Sequence, residues 1–194
     1  EWTAVKKADQ LFDGHDQPRV PLNEFYYNLL DKSTMEWQAN LMHKYHVFGM
    51  AFYHYWFKDG KRILEKPAEN LLRWKDIDMP FCFSWANESW TRTWSNLGEK
   101  NTWSSKFEPS RDIEHTTGIL LEQKYGNEKE WCDHFQYLVR FFRDERYIKI
   151  DGKPLFLIYR PASIPCLARM IEYWKKLAED ARFPGIYVVG VNIE

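Results

Sequence analysis

Residues 80 to 94 read Pro80-Phe-Cys-Phe-Ser-Trp-Ala-Asn-Glu-Ser-Trp-Thr-Arg-Thr-Trp94, which begins as an apolar run and ends among polar and aromatic side chains. The run Phe81 to Phe83 is short and continuous, as is typical of a strand that a parallel sheet buries on both faces. The residues that follow combine indoles with a carboxylate, an amide and a guanidinium: Trp85, Asn87, Glu88, Trp90, Arg92 and Trp94. Packing alone does not require this combination, so the segment predicts a buried strand that ends in a binding site.

These residue types suit a carbohydrate ligand. Indole rings stack on the C–H faces of pyranose rings, while Asn and Arg side chains hydrogen-bond sugar hydroxyls. A glutamate can transfer a proton at the glycosidic oxygen, so we expect Glu88 to be the catalytic general acid or base. The alternative is that Glu88 and Arg92, four residues apart, form an ordinary ion pair on a helix. The neighbouring tryptophans argue against an exposed helix at this place.

The composition excludes several classes of protein. Of the 194 residues, 44% are hydrophobic, which is normal for a globular core and excludes wholesale disorder. The net charge of −1 provides no basic surface for nucleic acid, and no apolar run approaches the ~20 residues of a membrane-spanning helix. No signal peptide is recognisable. We therefore expect no nucleic-acid partner, no membrane span and a cytoplasmic location.

Metal and cofactor sites are not indicated either. The three cysteines, Cys82, Cys132 and Cys166, are odd in number and widely spaced, which favours small buried side chains in a reducing compartment. His43 and His46 lack a third ligand at metal-binding spacing. The chain has no glycine-rich phosphate loop. We predict no bound metal and no cofactor.

Helical and strand patterns alternate along the chain. Apolar runs that begin near residues 47, 81, 155 and 186 predict four buried strands. A capping box at residues 33–36 predicts a helix with an apolar stripe of Trp37, Leu41 and Tyr45, and Asn127 with Glu130 predicts another helix. Ser163 is expected to cap a third helix. Residues 95–127 form a long polar connection, with a short strand expected at residues 118–122.

This alternation predicts an α/β fold. Strands linked by helices form parallel sheets, and a TIM-type (β/α) barrel has eight such units, so four predict a partial barrel. We expect residues 1–194 to be one partial barrel domain. The two open sheet edges would then favour self-association.

Polar and aromatic residues gather where the predicted strands end. His54, Tyr55 and Trp56 follow the first strand, and Tyr159 and Arg160 follow the third. In a βα barrel the active site lies at these carboxyl ends, so the positions favour ligand contacts for part of the 18% aromatic content. Two alternatives stay open. The alternative for His54 is a hydrogen-bonded core histidine. The alternative for Arg160 is an ordinary ion pair with a carboxylate of a neighbouring loop.

Several motifs in order carry a family resemblance: Glu1-Trp-Thr-x-Val5-x-Lys7-Ala8, Gly14-His15-x-Gln17-Pro18-Arg19, Phe52-Tyr-His-Tyr-Trp-Phe57, the segment from Pro80 to Arg92, and Asp151-Gly-Lys-Pro154 with Tyr159-Arg160-Pro161. Together they resemble the WbsX-type, glycoside hydrolase family 99-like domain over nearly the whole chain. The resemblance implies a TIM-type barrel from bacterial polysaccharide and lipopolysaccharide biosynthesis, a group often described as glycosyltransferases although the fold is that of glycosidases.

The resemblance has two departures. The family usually begins with a further strand before the Glu1-Trp-Thr motif and continues beyond the last strand here, so the resemblance implies that a first strand and later strands are missing. The second departure lies at the catalytic position. Family 99 endo-mannosidases use two glutamates three residues apart, whereas Trp85 and Thr91 flank Glu88 at that spacing. Asn87-Glu88 at a strand end also resembles the Asn-Glu pair of the large retaining glycosidase clan, in which the glutamate is the acid/base. The partner nucleophile of that clan follows a later strand.

The sequence thus predicts an enzyme that acts on glycosidic bonds of a bacterial surface polysaccharide, by hydrolysis or by transfer. Its substrate would be an oligosaccharide or polysaccharide. The alternative is a non-catalytic glycan-binding module with a degenerate site. Besides Glu88, the predicted substrate-binding residues are His54, Tyr55, Trp56, Trp85, Asn87, Trp90, Arg92, Tyr159 and Arg160.

Overall fold

The computed structural model describes residues 2–91 and 119–191. Its helices are α1 (Trp2–Lys6), α2 (Lys32–Lys44), α3 (Lys66–Arg73), α4 (Glu128–Phe142) and α5 (Leu167–Asp180). Its strands are β1 (Met50–His54), β2 (Phe81–Trp85), β3 (Trp90–Thr91), β4 (Ile119–Leu121), β5 (Lys149–Ile150), β6 (Lys153–Ile158) and β7 (Tyr187–Gly190). The four predicted apolar runs and the short predicted strand each contain an observed strand.

The main sheet has five strands. Strands β1, β2, β6 and β7 are parallel and lie side by side in chain order, so that His54, Trp85, Ile158 and Gly190 end neighbouring strands in register. Strand β5 pairs antiparallel with β6 through a tight turn at residues 151–152. The fold class is therefore α/β as predicted, with a mixed sheet. Among the described residues this sheet is open, with β1 and β7 at its edges.

Helices α4 and α5 cover one face of the sheet. The Phe83 ring of β2 lies 4.8 Å from Phe141 of α4, and the Phe156 ring of β6 lies 5.4 Å from Trp174 of α5. Alternate residues of each strand point to the opposite face. That face is less covered, since Tyr53 of β1 is 60% exposed.

Aromatic side chains fill the core between sheet and helices. Most of its largest fully buried side chains are aromatic: Trp85, Trp174, Tyr147, Phe81, Phe83, Phe135, Phe141, Phe142 and Phe156. Burying one such ring contributes about 1.5–3 kcal/mol relative to leaving it in water. Trp174 meets its one polar requirement by donating its indole N–H to the Trp131 carbonyl at 2.9 Å. The aromatic excess thus builds the core as well as the strand ends.

The predicted start of α4 is confirmed at the level of its hydrogen bonds. The Asn127 side chain accepts from the backbone N–H groups of Lys129 and Glu130, and the Glu130 carboxylate accepts from the Asn127 N–H at 3.1 Å. This reciprocal capping box satisfies donors that the first helical turn leaves without partners.

The details predicted for α2 and α5 are wrong. Helix α2 begins at Lys32, so the predicted capping box at residues 33–36 lies inside the helix. Its buried positions include Met35 and Met42, whereas Trp37 is 42% exposed and lies on another side of the helix. Helix α5 begins four residues after Ser163, which ends a short 3-10 turn instead. Similar apolar spacing on two sides of α2 made its buried side ambiguous from sequence.

In residues 2–91 and 119–191, none of the helices has both the length and the apolar character needed to cross a bilayer. The cysteines of these ranges are all free thiols. The expected cytoplasmic location and self-association through sheet edges stay predictions.

Candidate functional site

An asparagine joins the carboxyl ends of β2 and β6. The Asn87 amide nitrogen donates to the Arg160 carbonyl at 2.8 Å, and the Arg160 backbone N–H donates to the Asn87 amide oxygen at 2.8 Å. Asn87 is only 1% exposed. The amide therefore acts as a two-way clamp that holds the residues following two neighbouring strands at a fixed separation.

The clamp brings Glu88 and Arg160 together. Arg160 Nε lies 2.7 Å from Glu88 Oε1, and the two side chains are 47% and 25% exposed, respectively. Sequence had left open that Arg160 pairs with a neighbouring carboxylate, and that carboxylate is the predicted catalytic residue itself. An ion pair this exposed contributes little to stability, typically ~0–1 kcal/mol. Because both side chains of this pair are partly exposed, a ligand can reach them.

Aromatic rings lie beside this end of the sheet. The Trp90 ring contacts Tyr55 edge to face at a centroid distance of 5.4 Å, and it contacts Phe57 in the same way at 6.3 Å. Tyr55 and Trp90 are both partly exposed. Tyr159 is also partly exposed, with the Arg160 guanidinium 6.0 Å from its ring. Rings held edge to face in this way can present a flat, partly wetted surface to a sugar.

Three other predicted ligand residues are buried. His54, Trp56 and Trp85 are 4%, 8% and 2% exposed, respectively. The Trp85 indole N–H donates to the Trp56 carbonyl at 3.3 Å, and the Trp56 ring stacks on His134 at 4.5 Å. The structure places these three side chains behind the surface, where they support the strand ends.

His54 forms a hydrogen-bonded pair with a second buried histidine. Its Nε2 atom lies 2.7 Å from Nε2 of His134, so one ring donates an N–H and the other accepts. Burial lowers the pKa of His54 to about 3, and the charge of Arg62 adds to this. Burial likewise lowers the pKa of His134. The pair is therefore neutral near pH 7, consistent with the open alternative of a core histidine.

Arg92 lies outside the described residues, and so does the indole of Trp94. Sequence reasoning missed two residues of the site region, His134 and Tyr125. Helical spacing could have placed His134 on the buried side of α4, between Trp131 and Leu138. Tyr125 lies in a connection before α4, where no periodic pattern marks it.

A cavity of about 390 Å³ opens next to the end of β1. It is lined by one indole, a glycine and four charged residues: Trp56, Asp59, Gly60, Lys129, Glu130 and Asp133. Two of its charges neutralise each other, since Lys129 Nζ lies 2.9 Å from Asp133 Oδ2. Within the described ranges, the His, Cys, Asp and Glu side chains form no group that could hold a metal ion.

Comparisons with known proteins agree with the motifs. The model of the family described as "Glycosyltransferase WbsX" matches residues 1–194. Two curated proteins from two strains of Xanthomonas campestris pv. campestris, each named "Uncharacterized protein WxcX", are 29% identical over 192 residues. The match covers 99% of this chain and 25% of each relative, so the chain spans about a quarter of their length. No solved structure matches the chain.

Proposed function

Because the chain belongs to the WbsX glycosyltransferase family, we propose that it is a carbohydrate-active enzyme domain of bacterial polysaccharide biosynthesis. It acts on glycosidic bonds of a surface polysaccharide, and Glu88 is its general acid or base. The observation that carries the proposal is the half-exposed pair of Glu88 and Arg160, which the Asn87 clamp holds at the carboxyl ends of two parallel strands. Parallel α/β folds form their ligand sites at this end.

The order of the strands supports a partial barrel. In a (β/α) barrel, parallel strands neighbour one another in chain order, and β1, β2, β6 and β7 follow that order. A helix lies in the sequence between each successive pair of these strands. We propose that residues 1–194 form one partial TIM-type barrel domain whose inner face includes Tyr53.

Glu88 can serve either direction of glycosidic chemistry. In transfer, its carboxylate would accept the proton of an acceptor hydroxyl while that oxygen forms the new bond to the sugar carbon and the donor's leaving group departs. In hydrolysis, its protonated form would give a proton to the glycosidic oxygen as the bond to the sugar carbon breaks, and a water molecule would add its oxygen to that carbon and lose a proton. The family description favours transfer over family 99-like hydrolysis.

The remaining predicted residues divide into two roles. Tyr55, Trp90 and Tyr159 are partly exposed, and we propose that they form the floor of a sugar subsite, with the Arg160 guanidinium hydrogen-bonding a hydroxyl. The second group is buried, and we propose that it supports the floor from behind without contacting the sugar directly. Its members are His54, Trp56, Trp85 and Asn87. Arg92 stays a proposed ligand residue on the basis of the sequence motif.

The test is a Glu88→Gln variant, which keeps the shape and loses the carboxylate. Released nucleoside diphosphate is measured with a panel of UDP-, GDP- and dTDP-sugars and bacterial oligosaccharide acceptors, and hydrolysis is measured with 4-nitrophenyl glycosides. We expect turnover to fall by about 10²–10⁴-fold, the usual contribution of a general acid or base. Glu122→Gln is the matched control, because Glu122 is an exposed carboxylate nearby that, within residues 2–91 and 119–191, pairs with Lys124 at 3.3 Å.

Two results contradict the proposal. Unchanged turnover in Glu88→Gln removes Glu88 from the chemistry. Glycan binding on an array without turnover of any donor in the unsubstituted protein favours the non-catalytic binding module.

A further inference from the structure

Tyr125 contacts the backbone directly before Glu88. Its hydroxyl donates to the Asn87 carbonyl at 2.9 Å, and the Asn87 amide nitrogen lies 3.4 Å from the same hydroxyl. The Asn87 carbonyl belongs to the peptide group that also contains the Glu88 nitrogen. The Tyr125 hydroxyl thus fixes the orientation of the peptide that carries Glu88.

The rest of Tyr125 is held from two sides. Its carbonyl accepts the indole N–H of Trp131 on α4, and its ring lies 5.9 Å from Trp85, edge to face. Trp131 is in turn tied to α5, because its carbonyl accepts the indole N–H of Trp174. The tyrosine therefore connects the packed helices to the end of β2.

The segment before Tyr125 runs along the segment that contains Glu88. Trp90 pairs with Leu121 in the antiparallel β3–β4 ladder, and the Gln123 N–H donates to Ser89 Oγ at 3.0 Å. Tyr125 forms the last contact of this arrangement, at the strand end. The segment is thus held against residues 87–90 at three successive points.

We propose that Tyr125 is a positioning residue that sets the geometry of the Glu88–Arg160 pair for catalysis, an inference that rests on the proposed function. The chain of contacts is continuous: the Tyr125 hydroxyl holds the Asn87 carbonyl, the Asn87 amide holds the Arg160 backbone, and Arg160 Nε holds Glu88. Tyr125 acts through Asn87 and has no direct role at the reacting atoms.

The hydroxyl is suited to this task because it stays a donor. Burial raises the pKa of Tyr125, the hydrogen bond with Asn87 opposes this rise, and the Glu88 carboxylate adds to it. The phenol therefore stays protonated over the pH range in which a glycosyl-transferring enzyme works. A phenolate would repel the Asn87 carbonyl and release the clamp.

The test compares Tyr125→Phe with Tyr137→Phe in the protein labelled with ¹⁵N-arginine. Tyr125→Phe removes only the hydroxyl and keeps the ring on Trp85 and the carbonyl for Trp131. Tyr137→Phe removes another partly buried hydroxyl, which lies 3.5 Å from Glu69 and touches neither Glu88 nor Arg160. The readout is hydrogen exchange of the Arg160 Nε–H, assigned with Arg160→Lys, together with kcat and KM.

We expect Tyr125→Phe to speed Arg160 Nε–H exchange about 5- to 10-fold, the effect of losing roughly one hydrogen bond. We also expect kcat to fall by a similar factor while KM stays within about twofold, because Arg160 and the aromatic floor of the subsite are still present. Tyr137→Phe should change neither the Arg160 Nε–H exchange rate nor kcat, even if its melting temperature falls as far as that of Tyr125→Phe.

The possible failures are distinguishable. Unchanged Arg160 exchange in Tyr125→Phe overturns the positioning role whether or not the protein turns over a donor. Faster exchange with kcat unchanged overturns the catalytic part of the inference alone. Faster exchange in a protein that turns over no donor overturns the proposed function, and the catalytic role of Tyr125 with it.

Discussion

Each end of strand β2 has a pair of arginine and carboxylate, and the two pairs differ in exposure. Near its amino end, Arg146 pairs with Asp144 at 2.9 Å, and the two side chains are 11% and 2% exposed, respectively. Near its carboxyl end, Arg160 pairs with Glu88 at 2.7 Å, and these side chains are 47% and 25% exposed, respectively. The distances are similar, so exposure and additional partners distinguish a structural pair from one available to a ligand.

The buried pair of Arg146 and Asp144 makes its hydrogen bonds within the fold. Arg146 donates to the carbonyls of Trp74, Ile77 and Leu71 at 2.7–2.8 Å, besides both oxygens of Asp144. These carbonyls lie at the end of α3 and in the loop that leads to β2. Through the Leu71 carbonyl, the guanidinium bonds a backbone acceptor in the last turn of α3. No group of this pair is available to a ligand.

The carboxylate of the buried pair is strongly held in its charged form. Burial alone would raise the pKa of Asp144, but hydrogen bonds from Arg146 and Lys75 outweigh it and hold that pKa well below its usual range. Lys75 Nζ lies 2.5 Å from Asp144 Oδ2, and Lys149 Nζ donates to the Asp144 carbonyl at 2.9 Å. The network joins α3, the end of α4 and β5.

The largest effect on stability is expected from Arg146→Met. It leaves Asp144 buried with its best partner gone, and it removes the guanidinium's hydrogen bonds to the carbonyls of Trp74, Ile77 and Leu71. Breaking a buried pair in this way costs about 3–5 kcal/mol in the free energy of unfolding. Urea denaturation followed by circular dichroism measures the change. A loss under about 1 kcal/mol would mean that the two pairs are energetically alike and that exposure does not separate them.

An intermediate effect is expected from acid, through the histidine pair behind the site. The pKa of His54 is lowered to about 3 in the folded protein. At pH values below the ordinary histidine pKa of about 6.5, this histidine therefore binds a proton in the unfolded chain and stays unprotonated in the folded one. Stability is therefore full above pH 6.5 and falls as the pH drops towards 3. Linkage gives a slope of up to about 1.4 kcal/mol per pH unit for this histidine.

Urea midpoints between pH 7.5 and 5 measure that slope. The control is the ¹H–¹³C spectrum of the histidine rings, in which His54 and His134 should keep neutral shifts at pH 5 while the exposed His43 serves as an internal comparison. A flat stability profile over this range would contradict the buried, neutral pair.

Sequence predicted the strands and α4 because their signals are local. Apolar runs mark strands wherever they pack, and the Asn127 to Glu130 box needs only four consecutive residues. The buried side of α2 was missed, since its stripe through Met35 and Met42 is decided by what the helix packs against. Propensity and spacing do not contain that information.

The site was predicted as a set of residue types at strand ends, and its internal contacts were not. Glu88 and Arg160 are far apart in the chain, and only the pairing of β2 with β6 makes them neighbours. The same holds for His54 and His134, which are 80 residues apart and form a hydrogen bond in the core. Tyr125 shows the limit most clearly, because its role depends entirely on a carbonyl of another segment.

The smallest effect on stability is expected from Arg160→Gln, and it is the sharpest test of the comparison. The backbone of Arg160 keeps its two bonds to Asn87, so the clamp survives the change. The change removes the partly exposed ion pair and the guanidinium's contact with the partly exposed Tyr159 ring, which together cost about 0–1 kcal/mol. Arg169→Gln is the matched control, since Arg169 also pairs with a carboxylate, that of Glu128 at 3.5 Å, and both are exposed.

Stability should thus fail to separate Arg160→Gln from Arg169→Gln, whereas function should separate them. If Arg160 hydrogen-bonds a sugar hydroxyl, its loss removes a charge-assisted contact and weakens glycan binding by about 10-fold or more, measured by calorimetry with an acceptor oligosaccharide. Arg169→Gln should bind as the unsubstituted protein does. Equal binding in both variants would mean that the open pair is only a surface contact. A stability loss in Arg160→Gln as large as that of Arg146→Met would mean that the carboxyl end, like the amino end, is held by its ion pair, and the exposure of Arg160 and Glu88 would then carry no functional meaning.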